Sequence, residues 1–326
     1  MAKRRLAVIA LGAGALAPKA LFAQGPKVHR VGILTSEGVA SSKRRMDSFV
    51  SALRELGYVE GGNLVLTFRH ADGDVDRLPA LAEELVRTRP DVIFAPNGVA
   101  VLAVRRVAGA TPVVFSNVSD PVALGLAASL ARPGGTSTGL SNINTELAAK
   151  RLDLLKAAVP GIVRVAVLSD GEDSNSSRQI EMLRPAATAL GLQLLITDLS
   201  RRDDLERRMA ELRQWRADAL YIVSGPSNTF SRALHAELAT RLRLPAMAGI
   251  DFFPDAGGLM SYGPNFETLH RRAAAYVDKI LKGANPGDLP VERPTVFDLV
   301  VNIQTAKALG IKVPQTILMQ ATRLIE

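Results

Sequence analysis

The sequence contains no cysteine. That excludes a disulfide framework, a thiolate nucleophile and a lipid-bearing cysteine behind the N-terminal segment. Aromatic residues are scarce, at 5%, and the four histidines, His29, His70, His235 and His270, show no HExxH or HxH spacing, which argues against a zinc site. No phosphate-binding loop occurs, and the one Gly-x-Gly, at Gly12 and Gly14, falls inside an apolar leader. Low-complexity tracts and short repeats are lacking, so disorder and solenoid architectures are set aside. No cofactor is implied.

What remains is an ordinary globular composition, 47% apolar and 22% charged over 326 residues. That is more chain than one compact core usually serves, so two lobes are expected. Lys3, Arg4 and Arg5 precede the apolar run LAVIALGAGALA, and Ala23 offers a cleavage point before Gln24. Residues 1–23 therefore read as a signal peptide, although Leu21 and Lys19 sit awkwardly for cleavage, which keeps an uncleaved anchor as the minority alternative. The adjacent arginines leave Sec and twin-arginine export both open. Those residues carry four basic side chains and no acid, which reduces a formal charge of +8 to +4 and weakens the case for nucleic acid as a partner. The mixed run around Arg201–Arg216 is interleaved with acids and reads as a solvated face.

From Val28 onward, short apolar runs alternate with longer amphipathic ones, the pattern of a parallel sheet covered by helices on both faces. The first series is VHRVGIL, NLVLTF, DVIFA, PVVFS and TSTGLS. A helix opened by Asn144 or Thr145 then leads to RVAVLS, LQLLIT, ALYIVS and PAMAGI, alternating with helices over 176–190, 203–215 and 228–242. The tail supplies GGLMSYG, a helix from Phe266, the loop KGANPGDLP and TVFDLVVNI. The simplest assignment gives residues 28–143 with 258–290 to lobe one and 144–257 with 291–326 to lobe two, the crossings forming a hinge.

The blocks LRELGYVEGGNL, TPVVFSNVSDPVALGLAASLARPGGTSTGLSN, GGLMSYG and RRAAAYVDKILKGANPGDLPVERPTVFDLVVN resemble the ABC transporter substrate-binding family that includes the tryptophan-binding lipoproteins of Gram-positive bacteria. The resemblance runs from about residue 28 to the C-terminus. It implies an α/β fold of two doubly wound parallel-sheet lobes joined by a multi-strand hinge, like type I periplasmic binding proteins. It further implies a small-molecule solute held without chemistry and an ABC permease as partner; the leader and the absence of a lipid cysteine lead to a periplasmic location, and a monomer is expected. Two departures stand out. Pro96, Asn97 and Gly98 replace a hydroxyl residue common in relatives, and the lipid cysteine is missing. The tryptophan preference is therefore not carried over.

In open α/β sheets, ligands sit outside the carboxyl ends of the strands. The polar residues there are Thr35, Ser36, Asn97, Gly98, Ser119, Asp120 and Asn142 in lobe one, and Ser169, Asp170, Ser224 and Asp251 in lobe two, with Tyr262 on the returning strand. Each alone reads equally well as a helix cap or, for Tyr262, as a core residue. Together they supply hydroxyls and N–H donors for a carboxylate, and acids such as Asp120, Asp170 or Asp251 for an ammonium. The expected ligand is an amino-acid-like or other small polar solute. The rival readings are a solute sensor for a membrane signalling partner, a doubly wound periplasmic enzyme, and a regulator core, the last of which would begin with a helix-turn-helix.

Overall fold

The computed structural model describes residues 27–171, 174–199 and 201–326, so the leader expected over residues 1–23 lies outside the described residues. The first lobe is built from β1 (His29–Thr35), α1 (Val39–Glu55), β2 (Leu64–His70), α2 (Leu78–Arg87), β3 (Val92–Phe94), α3 (Gly98–Arg105), β4 (Val113–Val118) and β5 (Ser137–Ser141). Its five strands run in the order β2-β1-β3-β4-β5, all parallel. Val31, Ile33, Phe94, Val114 and Phe115 are buried, as strands covered on both faces require. Phe49 of α1 stacks on Phe94 at 4.2 Å between ring centroids.

The chain then crosses to α4 (Ala148–Ala158), β6 (Arg164–Ser169), α5 (Ser174–Ala189), β7 (Gln193–Asp198), α6 (Leu205–Trp215), β8 (Ala219–Ile222), α7 (Pro226–Phe230), α8 (Arg232–Leu242), β9 (Ala246–Ala248) and β10 (Met260–Pro264). It returns as α9 (Phe266–Leu281), whose apolar face packs on α1 and on β4 and β5, and Tyr58 donates to Asp278 of α9 at 2.9 Å. The last elements are β11 (Phe297–Asn302), α10 (Ile303–Leu309), α11 (Gln315–Leu318) and β12 (Arg323–Ile325). The second sheet has the order β12-β11-β10-β9-β8-β6-β7 and is parallel except between β10 and β11.

Three placements differ from the sequence expectation. The strand after Gly258 does not return to the first lobe: β10 pairs with β9 (Met260↔Met247) and with β11 (Met260↔Val301), so its helix alone goes back. The cause is apolar continuity, because Leu259 and Met260 bury themselves among Met247, Leu299 and Val301. The segment at Glu292 still belongs with the first sheet, since Ser141 N–H donates to Glu292 O at 2.9 Å and Glu292 N–H to Gly139 O at 3.0 Å. Third, the single helix expected over 228–242 breaks at Ser231 into α7 and α8. Three crossings, at 142–147, at Asn265 and at 293–296, therefore join the lobes.

Gly139 is the tightest point of the first sheet. Its φ is +150°, and a Cβ there would lie 1.9 Å from Phe115 O, beside the register shift between β4 and β5. A backbone atom cannot swing away as a side chain can. Gly139→Ala is expected to cost about 2–4 kcal/mol, read as a lowered urea midpoint with an unchanged slope.

Candidate functional site

The carboxyl ends of the two sheets face a common cavity of about 230 Å³. Seven of the residues expected from sequence line it: Ser36, Asn97, Gly98, Ser119, Asp120 and Asn142 from the first lobe, and Ser224 from the second. The parallel sheets bring them together because each follows or ends a strand on the same side.

Hydrogen bonds fix which atoms these side chains have left to offer. Asn97 caps α3, its Oδ1 accepting from Ala100 N–H at 3.1 Å, so its Nδ2 donates to Ser36 Oγ at 2.7 Å and the Ser36 proton stays available. Asn142 Oδ1 accepts from Asn144 N–H at 3.0 Å, so its Nδ2 donates to Asn117 Oδ1, which leaves the Asn117 amide N–H groups as donors. Asn144 Oδ1 accepts from Arg151, which leaves the Asn144 amide as a donor as well. Ser119 Oγ accepts from Asn175 at 3.3 Å, and Ser224 Oγ is buried with no partner among the described residues. The polar wall is thus rich in donors.

Two carboxylates also line the cavity. Asp120 accepts from Ala123 N–H at 2.9 Å, which is the capping role, and also from Arg178 of α5 at 2.6 Å, an ion pair that reaches across the lobes. Glu37 pairs with Arg45. Leu102, Leu124, Phe230, Ile250 and Phe266 supply an apolar wall.

Five expected residues lie outside this cavity. Thr35 accepts from Glu37 N–H at 3.1 Å in the turn after β1, and Ser169 donates to Thr197 O at 3.0 Å on the neighbouring strand. Asp170 is buried and accepts from Ser227 and Asn228 N–H, each at 3.2 Å, at the start of α7; Gly225 must be glycine because a Cβ would meet Asp170 Oδ2 at 1.9 Å. Tyr262 stacks with Phe297 at 6.1 Å and packs into the second core. Asp251 sits elsewhere between the lobes, 3.3 Å from Arg44 of α1.

The residues that strand ends did not reveal come from helices: Asn175 and Arg178 of α5, with Thr229 and Phe230 of α7. Asn175, Arg178 and Gln179 share a face at i, i+3 and i+4 of the first turns of α5, and that polar stripe was the available signal. A second motif also lies beyond a reading of strand ends. Gly135-Thr136-Ser137-Thr138-Gly139 has the spacing of a nucleophile elbow, which places its serine on an exposed strand-to-helix turn. Here Ser137 is 1% exposed inside β5 and its Oγ has no hydrogen-bond partner among the described residues, so the motif does not build that elbow.

Burial pushes the Asp251 carboxyl above its ordinary value, while nearby Arg45 and Arg44 oppose the shift. For an acid raised on folding, stability is fullest below the unfolded pKa and falls as pH rises through the folded one. Asp251→Asn should therefore raise the urea midpoint at pH 7, and the gain should vanish by about pH 3.5, below the unfolded carboxylate value.

A model of the family described as ABC transporter substrate binding protein matches residues 30–325. A tyrosine-binding protein of Clostridioides difficile (strain R20291) is 25% identical over 286 residues, covering 88% of this chain and 82% of the relative. Among solved structures, an ABC domain from Streptococcus pneumoniae in complex with L-Trp aligns at TM-score 0.83 with 22% identity, over 92% of this chain and all of the other. A ligand-free, open substrate binding protein with adhesive properties from Clostridium difficile aligns at TM-score 0.70 with 25% identity, over 91% of this chain and 99% of the other.

Proposed function

This chain belongs to the ABC transporter substrate binding protein family, and from that premise we propose that its cavity holds an amino acid with an apolar or aromatic side chain. The chain is a solute-binding component of an ABC importer, with a small-molecule solute and a permease as its partners. The observation that carries the proposal is the donor-rich wall of Ser36, Asn117, Asn144 and Ser224 beside two carboxylates, Glu37 and Asp120, and an apolar wall that includes Phe230 and Phe266. A zwitterion needs all three: donors for its carboxylate, an acid for its ammonium, and apolar contact for its side chain. At about 230 Å³ the cavity is smaller than the ~300–1,000 Å³ of drug-sized pockets, which favours one small solute. The amino acids named for two of the relatives agree with this class.

In this reading the protein works outside the inner membrane, as its family does, exported by residues 1–23 into the periplasm, and it binds as a monomer. Among the described residues, no helix is long and apolar enough to cross a membrane. The solute leaves chemically unchanged.

A thermal-shift screen of the twenty L-amino acids against sugars and polyamines tests the proposal. At a hundredfold excess over Kd the ligand should stabilise the fold by about 2.7 kcal/mol, several degrees in melting temperature for a chain of this size. In calorimetric titration, Asp120→Asn should weaken binding roughly ten- to hundredfold, the worth of a charge-assisted hydrogen bond of about 1.5–3 kcal/mol. Responses confined to sugars or polyamines would remove the amino-acid reading.

A further inference from the structure

We infer that Arg151 is a positioning residue that makes the cleft select solutes bearing an anionic group, its charge acting through Asn144 and Ser224. The inference rests on the reading that this cavity binds a solute and adds which chemical group it demands.

Arg151 of α4 is fully buried, at 0% exposure. Its Nε donates to Tyr262 O at 2.6 Å, its Nη1 to Asn144 O at 3.0 Å, and its Nη2 to Asn144 Oδ1. Every acceptor is neutral, and no ion pair among the described residues includes Arg151. A guanidinium cannot shed its proton near neutral pH, so the site carries a buried positive charge without a countercharge, an arrangement costly enough that proteins usually pair it.

The charge lies just behind the cavity wall. A Cβ on Gly249 would stand 2.0 Å from Ser224 Oγ and 2.7 Å from Arg151 Cζ, so hydroxyl and guanidinium flank the same glycine. Ser224 lines the cavity while its Oγ is buried behind the surface without a partner among the described residues, and Asn144 lines it with its Oδ1 already held by Arg151. An anion accepting from the Asn144 amide and the Ser224 hydroxyl would sit in the field of a cation that water scarcely screens. Hydrogen bonds polarised in this way favour a carboxylate over an uncharged amide.

Arg151 also ties the first crossing, at Asn144, to β10, at Tyr262, so a purely structural role must be told apart from a selective one. The readout is the ratio of affinities for each responding L-amino acid and for its C-terminal amide, measured by calorimetry on the full mature chain. The wild type should prefer the acid by about a hundredfold. Arg151→Met should cut that preference at least tenfold while leaving amide affinity within about threefold, and Arg151→Lys should restore most of it. Equal losses for acid and amide in Arg151→Met, or a wild type that binds both alike, would overturn the inference. Ser224→Ala removes a hydroxyl that has no partner among the described residues, so it should fold even where Arg151→Met does not, and it too should lower the ratio. A parallel screen of simple carboxylates and amines separates the two readings. Binding of carboxylates without any amino acid sinks the amino-acid proposal and sustains Arg151. Binding of neutral or cationic solutes alone sinks Arg151 and leaves a binding cleft, and an absence of any response sinks both.

Discussion

The backbone N–H groups of Ala100 and Asn144 each take the Oδ1 of an asparagine, Asn97 and Asn142, and those two bonds dictate what the cleft presents. An amide that has spent its oxygen on the backbone can only donate onward, so Asn97 turns Ser36 into a donor and Asn142 does the same to Asn117. For Asn97, which caps α3, the capping reading and the binding reading are therefore one fact, and Asn142 does the same from a turn in the first crossing. A side chain that caps a helix with its acceptor is held rigid, and its remaining group is aimed without further entropic cost.

The lobes meet through contacts that are individually weak. Asp120 and Arg178 are each about a third exposed, Ser119 meets Asn175 at 3.3 Å, and Arg45 stands 4.8 Å from the centre of the Phe252 ring. Partly exposed ion pairs contribute about 0–1 kcal/mol each. An arrangement of lobes held this loosely can be biased by a ligand that touches both of them, since only differential affinity shifts a two-state equilibrium.

The sheets and most of the first lobe's cavity residues were legible in the sequence because buried parallel strands are continuous apolar runs, and a polar residue that ends one stands at a predictable edge. Ser36, Asn97 and Asn142 are of that kind. Asn175 and Arg178 were not, because a helix places a side chain in a cleft only through the docking of the opposite lobe, which one sequence does not encode locally. Strand β10 is not placed by its own sequence for a related reason. Its run GGLMSYG is compatible with either sheet, and the choice is made by Met247, Leu299 and Val301, contributed from well before and well after it.

Asp170 and Asp251 show how the same residue type in the same local context diverges once packing is complete. Both follow second-lobe strands and both are buried. Asp170 finds two N–H groups at the start of α7, and Gly225 leaves it the room to reach them. Asp251 has one guanidinium at 3.3 Å, and its Oδ1 has no partner among the described residues. The first carboxylate is absorbed by the backbone and serves the fold of one lobe. The second is satisfied only in part, and by a residue of the other lobe, so its energy depends on how the lobes stand to one another. A carboxylate after a strand is thus assigned by counting the donors that reach it and asking which lobe owns them.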